Sequence, residues 1–361
     1  MVALRVGFDA GPLHGPRTGI GHAVDALEHA LEARDDVELV PYLVSFRAEV
    51  ESPTRRLPLP ATLAHRLWRR TAHPRVDRWL GEVDVVHGTN YVVPPTRRPT
   101  IVSVYDCWFL RQPDEATPSV RRAGAVLRAA IDRGAVVHAS SHATELAVRE
   151  MFPQADVQTI HLAALDLPLA ADIAPTPEIG EYPFVVAIGT LERRKNLPRL
   201  VAAFGRIAHA HLDLRLVLAG SAGDDAEATR AAVDELSTAT AARVLFTGQV
   251  DRATRAWLLR NATLVAYPSL DEGFGFPLLD AMRAEVPVVA ASAGSIPEVA
   301  AGAALLCDPL DIDDISGALD TALRDASIRE RLVEAGRNRW REFSWEITAA
   351  EMTALYQRVA A

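Results

Sequence analysis

The chain is short of lysine. Of its 38 basic residues, 37 are arginine and Lys195 is the single lysine. If a coding bias replaces lysine wherever arginine will serve, the survivor marks a place for a compact ammonium that a planar guanidinium does not fit. Chance is the competing reading. Cysteine is nearly absent: Cys107 and Cys307 are too few for a disulfide framework or a zinc site. No apolar run approaches the roughly 18 residues of a membrane-spanning helix. The stretch Met1–Asp9 lacks the long apolar segment of a signal peptide, so a cytoplasmic location is expected. An excess of positive charge is also missing. The net charge is −9, which argues against a general nucleic-acid binder.

The chain is otherwise rich in core-forming residues. Hydrophobic residues make up 49% of its 361 positions and charged ones 24%, enough for about two domains with full cores. Short β-branched runs alternate with helical patterns. Strands are expected at Leu4–Phe8, Val37–Val44, Asp84–His87, Thr100–Tyr105, Ala135–Ala139 and Val157–His161, with helical patterns such as Gly21–Ala33 and Ser119–Arg133 between them. After a Pro-rich stretch, Leu167–Pro177, the alternation resumes at Phe184–Ile188, Leu214–Ala219, Arg243–Phe246, Thr263–Tyr267, Val286–Ala291 and Ala303–Leu306. This pattern predicts parallel sheets with helices on both faces. Two doubly wound α/β domains of similar size are expected, with ligands outside the carboxyl ends of the strands.

Three strand-to-helix turns carry polar chemistry. The first runs from Gly189 through Arg194, Lys195 and Asn196 to Pro198. Asn196 suits a helix N-cap, and Leu197, Leu200, Val201 and Phe204 form an apolar helix face. Cations just before a helix N-terminus oppose its dipole unless they share an anion, so a diphosphate site is expected; a solvated basic turn is the alternative. The second runs from Pro268 through Glu272, Gly273, Phe274, Gly275 and Phe276 to Asp280. The glycines let backbone N–H groups approach a ligand, and Glu272 suits sugar hydroxyls. Asp280, expected in the first helical turn, suits a ribose diol or simply favours the helix N-terminus. The third, Asp9–Gly21, is Gly-rich but lacks the spacing of a nicotinamide site.

Together these motifs resemble the retaining glycosyltransferases of family 4, which have the GT-B fold. The resemblance spans the chain and is strongest from Gly189 to Leu310. It includes Gly-Thr-Leu-Glu-Arg-Arg-Lys-Asn, Phe246–Asp251, Tyr267–Pro277, Val286–Ser292 and Ile296–Val299. Arg17–Gly21, Val104–Phe109 and Phe343–Trp345 also match.

The resemblance implies two Rossmann-like domains facing each other across a deep cleft. Residues 1–168 would form the acceptor side, 169–181 a linker, 182–345 the nucleotide-sugar side, and 346–361 a helix crossing back. Arg194 and Lys195 would hold the donor diphosphate, with Gly189 beside them. Glu272 and the backbone of Gly273, Phe274, Gly275 and Phe276 would hold the transferred sugar. Asp280, one methylene shorter than the family's usual Glu, would take the ribose, and the backbone at Val250 the base. Gly19 or Gly21 would approach the diphosphate or the acceptor. Tyr105 replaces the His of many relatives, beside Asp106. It can donate a hydrogen bond but carries no proton at pH 7, so a positioning role is expected.

The implied reaction needs no cofactor and no metal. It moves a hexose from a nucleotide diphosphate to a glycan or lipid-linked acceptor. Gln249–Ala256 resembles the corresponding stretch of phosphatidylinositol mannosyltransferases, which makes GDP-mannose the first expectation and a UDP-sugar the second. Arg255 would then face a guanine oxygen, although Arg252 replaces the guanine-binding Asp of those enzymes. A glycosidase would need two carboxyls flanking the bond. A sugar-nucleotide 2-epimerase and a catalytically silent partner subunit share the architecture and are the rival readings. The sequence leaves the oligomeric state open.

Between Arg55 and Arg78 lie seven arginines and one acid, Asp77, interleaved with Leu63, Leu67 and Trp68 and followed by Trp79. Two readings fit equally: peripheral contact with the inner membrane face, or a solvated helix with its Trp packed inward. His87, Asn90 and Tyr91 are candidates to line the acceptor side, with ordinary loop packing as the alternative.

Overall fold

The computed structural model describes residues 3–15, 19–166 and 177–361. Two compact units divide the chain: Met1–Ala163 with Phe343–Ala361, and Ala164–Glu342. Both are parallel-sheet α/β Rossmann-like domains.

The first unit holds β1 (Leu4–Asp9), β2 (Val37–Val44), β3 (Arg55–Leu57), β4 (Val85–Gly88), β5 (Thr100–Val104), β6 (Val136–Ala139) and β7 (Val157–Thr159). Their order across the sheet is β3-β2-β1-β4-β5-β6-β7. β1 lies near the centre, with Val6 and Phe8 fully buried. One face packs Val24 and Leu27 of the helix Gly19–Glu32 against Met352, Leu355 and Tyr356 of the last helix, Trp345–Ala360. The other packs Trp68, Leu127 and Val148. The strand β3 lies outside the expected set. It is three residues long, sits at the sheet edge, and buries only Leu57 behind two arginines. Short, charged edge strands carry little hydrophobic signal.

The second unit holds β8 (Phe184–Ile188), β9 (Arg215–Ala219), β10 (Val244–Gly248), β11 (Leu264–Tyr267), β12 (Val288–Ala291) and β13 (Leu305–Cys307). Their order is β10-β9-β8-β11-β12-β13. The strands β11 and β12 are buried throughout, as strands covered on both faces must be. In each unit the chain leaves the first strand toward one edge and returns to build the other. The switch points are therefore between β1 and β4, and between β8 and β11. Such crevices, at the carboxyl ends, are where open α/β sheets bind ligands.

Of the linker expected at 169–181, residues 169–176 lie outside the described set, as do Arg17 and Thr18 of the Gly-rich turn.

Candidate active site

The strand β8 is followed at once by Gly189, whose φ of 150° and tight surroundings suit glycine. A Cβ there would press on the Lys195 side chain, and a Cβ on Gly220 would lie 1.8 Å from the Gly189 carbonyl oxygen. The chain then makes a 3₁₀ turn, Arg193–Lys195, and enters the helix Leu197–Ile207. Asn196 between them is not the side-chain N-cap that the sequence suggests. It adopts a left-handed conformation (φ 59°) and makes no capping bond. Its amide instead donates to the carbonyls of Pro268 (3.0 Å) and Pro309 (2.7 Å). Leu270 N–H donates to the Arg194 carbonyl at 2.8 Å. The basic turn is thereby bolted to the loop after β11.

That loop carries Glu272, which is 6% exposed. One carboxylate oxygen accepts from Lys195 Nζ at 2.6 Å and the other from Arg194 at 2.5 Å. Burial alone would raise this carboxyl; the charges of Arg194 and Lys195 outweigh it and hold the group at about 2. Burial pulls the Lys195 ammonium down, and Glu272 opposes that pull. The ammonium also lies 3.4 Å from the Tyr267 hydroxyl and 5.0 Å from the ring centroid. The anion that the two cations require is thus supplied from within the chain. Arg194 also lies 3.7 Å from Glu192, so two cations and a helix N-terminus face two carboxylates, one of them a buried group that can accept from hydroxyls. Such a cluster can hold a phosphate and stabilise charge developing on it.

Gly273, Phe274 and Gly275 follow, all buried, and Gly275 (φ 97°) starts the helix Phe276–Arg283. Phe274 and Phe276 pack edge to face, with centroids 5.4 Å apart. Asp280 departs from expectation. Because the helix begins at Phe276, Asp280 falls in the second turn, fully buried. Its carboxylate is paired with Arg255 of the helix Arg252–Asn261. The groups expected to take ribose and base therefore bind one another. Burial raises the Asp280 carboxyl, and Arg255 opposes the rise. Val250 lies half-buried in the turn before Asp251, which caps that helix through Thr254 N–H at 2.7 Å.

In the first unit, Gly19 and Gly21 form the first turn of their helix, Gly19 exposed and Gly21 buried. Tyr105 is 7% exposed, and its hydroxyl donates to the Thr89 carbonyl at 2.8 Å. Asp106 accepts from Trp108 N–H at 3.1 Å, and its own N–H donates to the Tyr91 hydroxyl. His87 is no surface group. It is fully buried between Tyr356 and Ser103, at 2.8 Å from each. Sequence reasoning also passed over Tyr267 and Asp9. Tyr267 was visible as the polar end of an apolar strand, and Asp9 as the acid ending the first.

Known proteins resemble this chain in sequence and in fold. Residues 171–339 match the model of the glycosyl transferases group 1 family. The O-antigen chain mannosyltransferase B of Escherichia coli is 26% identical over 98% of this chain and all of its own length. A phosphatidyl-myo-inositol mannosyltransferase of Mycobacterium leprae is 26% identical over 91% of this chain and 87% of its own. Among solved structures, sucrose-phosphate synthase from Thermosynechococcus elongatus superposes with a TM-score of 0.76 at 19% identity, covering 98% of both chains. Anabaena HepE, solved with UDP and glucose, gives 0.70 at 16%, covering 98% of this chain and all of that one. Residues 171–339 thus match a group 1 glycosyltransferase domain, and the two parallel-sheet α/β Rossmann-like units have the fold of the solved GT-B glycosyltransferases.

Proposed function

We propose that this protein is a retaining mannosyltransferase that moves mannose from GDP-mannose to a glycan or lipid-linked acceptor, without a metal. The reading is carried by one observation: the Glu272 carboxylate shared by Arg194 and Lys195 at the crevice between β8 and β11. When the donor binds, its diphosphate takes over the two cations and the helix N-terminus. Glu272, released from them, turns to the hydroxyls of the sugar, with the backbone from Gly273 to Phe276 beside it. As the glycosidic bond breaks, charge builds on the β-phosphate, where the preorganised cations stabilise it. In the retaining course, the acceptor attacks from the leaving-group face and its proton goes to the departing phosphate.

The named relatives that transfer mannose favour mannose as the sugar. The HepE complex with UDP keeps a uridine donor as the second expectation. Asp280 and Arg255 would meet the nucleoside after their mutual pair opens.

A peripheral membrane site rests on the helix Ala61–Trp68. Leu63 and Leu67 are 51% and 40% exposed beside exposed Arg66, Arg69 and Arg70. Trp68 is fully buried and Trp79 half-buried under Arg78, so neither Trp forms such a face. Among the described residues no helix is long and apolar enough to cross a membrane.

Thermal unfolding with GDP, UDP and ADP tests the donor reading. A ligand at 100 times its dissociation constant stabilises by about 2.7 kcal/mol. GDP should raise the midpoint of the wild type and not that of Lys195→Ala. A shift by UDP alone would overturn the guanine assignment. A shift equal in both proteins would overturn the phosphate site.

A further inference from the structure

Arg194 and Lys195 share Glu272, but the two cations are held differently. Arg194 also donates to the Asp271 carbonyl at 3.1 Å and lies 3.7 Å from Glu192. It keeps those tethers when Glu272 turns away. Among the described residues, the Lys195 ammonium has two hydrogen-bond partners. They are Glu272 at 2.6 Å and the phenol of Tyr267 at 3.4 Å. Once Glu272 has turned to a sugar, the phenol is the partner that remains within the chain.

Tyr267 is a fixed group. It is the last residue of β11, is 3% exposed, and pairs with Ala290 of β12. A Cβ on Gly275 would stand 3.7 Å from its ring. The ammonium lies over that ring, 5.0 Å from the centroid, where a cation is attracted to the aromatic face. An ammonium can only donate, so the phenol accepts from Lys195 and its own hydrogen is left for another group. Glu272 and Ser269 lie within its reach. Burial and Glu272 push the phenol well above its ordinary value, so it stays protonated. Gly189, Lys195, Tyr267 and Ser269 help to line a cavity of about 10 Å³, room for one water at most. The ammonium cannot retreat into it.

We propose that Tyr267 is a positioning residue, whose phenol holds the Lys195 ammonium in place for the donor diphosphate after Glu272 has left it. The proposal rests on the donor reading and deepens it. The charged groups that face the ammonium are Glu272, Arg194 and Glu192. Burial and Arg194 pull the ammonium down, and the two carboxylates oppose them. A hydrogen-bond acceptor favours the charged form, so losing the phenol must lower the ammonium further.

The test uses the fact that Lys195 is the single lysine. The full chain labelled with ¹³C at lysine Cε therefore gives one lysine signal. Its shift is followed between about pH 7 and pH 11 in wild type, Tyr267→Phe and Tyr267→Leu, with far-UV circular dichroism as the check on fold. Calorimetry then measures GDP and UDP binding near pH 7 and pH 9.5. The titration midpoint should fall by about half a pH unit in Tyr267→Phe, which keeps the ring, and further in Tyr267→Leu. The better-bound nucleotide should bind Tyr267→Phe about threefold more weakly near pH 7, and the loss should grow at the higher pH. An unchanged midpoint in Tyr267→Phe overturns the proposal. So does a nucleotide loss equal at both pH values, which a purely structural role predicts. Tyr267→Phe fills the same space and carries the test alone if Tyr267→Leu does not fold. If neither nucleotide binds wild type, the donor reading falls, while the lysine titration still decides whether Tyr267 holds the ammonium.

Discussion

The phenol of Tyr356 lies 2.8 Å from Nδ1 of His87, joining residues 269 positions apart and fastening the last helix to β4. The proton order follows from the far end of the chain of bonds. His138 Nε2 lies 3.0 Å from the Ile160 carbonyl, which only accepts, so that nitrogen carries the hydrogen. The neutral ring then accepts at Nδ1 from Ser103, Ser103 accepts from His87 Nε2–H, and His87 Nδ1 accepts from Tyr356. All four side chains are fully buried.

This chain of bonds makes the first unit sensitive to acid. Burial lowers His138 from 6.5 to about 4, and pushes His87 well below its ordinary value. Between those values the unfolded protein binds more protons, so stability is complete above pH about 6.5 and is lost as pH falls through about 4. His138 alone contributes about 3 kcal/mol to that loss. Urea denaturation across this range should show it, and His138→Asn should flatten the slope. An equally steep slope in the variant would count against the assignment.

Lys195→Arg should not rescue Lys195→Ala. The Lys195 stem lies against Gly189, and its ammonium sits over Tyr267 while contacting Glu272. A planar guanidinium does not fit that space. Nucleotide-induced stabilisation should be absent in both variants; recovery in the arginine variant would show that charge alone suffices.

Asn196→Asp should destabilise the second unit by about 3 kcal/mol or more. It replaces a donor to two carbonyls with a buried carboxylate facing them. Asn196→Gly keeps the left-handed turn and should lose less. Comparing unfolding midpoints of the two separates the amide from the backbone conformation.

Arg255→Ala should cost about 3–5 kcal/mol, because it strands the fully buried Asp280 carboxylate. Adding Asp280→Ala should restore part of that loss. A double-mutant cycle with no coupling would mean that the pair is open in solution.

Much of the architecture was legible because its signals are local. Apolar runs such as Val185–Ala187 and Val288–Ala290 are strands buried on both faces, and their alternation with helical patterns implies parallel sheets. Arg55–Leu57 was not legible, since its pairing with Tyr42–Val44 leaves no apolar pattern in three residues. The turn around Lys195 could be read as anion-binding from charge and helix position alone. The sequence could not say that Glu272, 77 positions away, supplies an anion to it.

What the sequence determined by itself, then, is whatever depends on neighbours along the chain: the buried strands, the alternation with helices, the turns that need glycine, and the charges gathered at each. What only the tertiary structure decided are the partnerships. Asn196 left its cap for two distant carbonyls, Asp280 turned to Arg255, and His87 went inward to Tyr356. Each of these groups is buried, and a buried polar group must find a partner wherever the fold places one. That choice is made by packing across the sheet, and spacing along the chain carries no record of it.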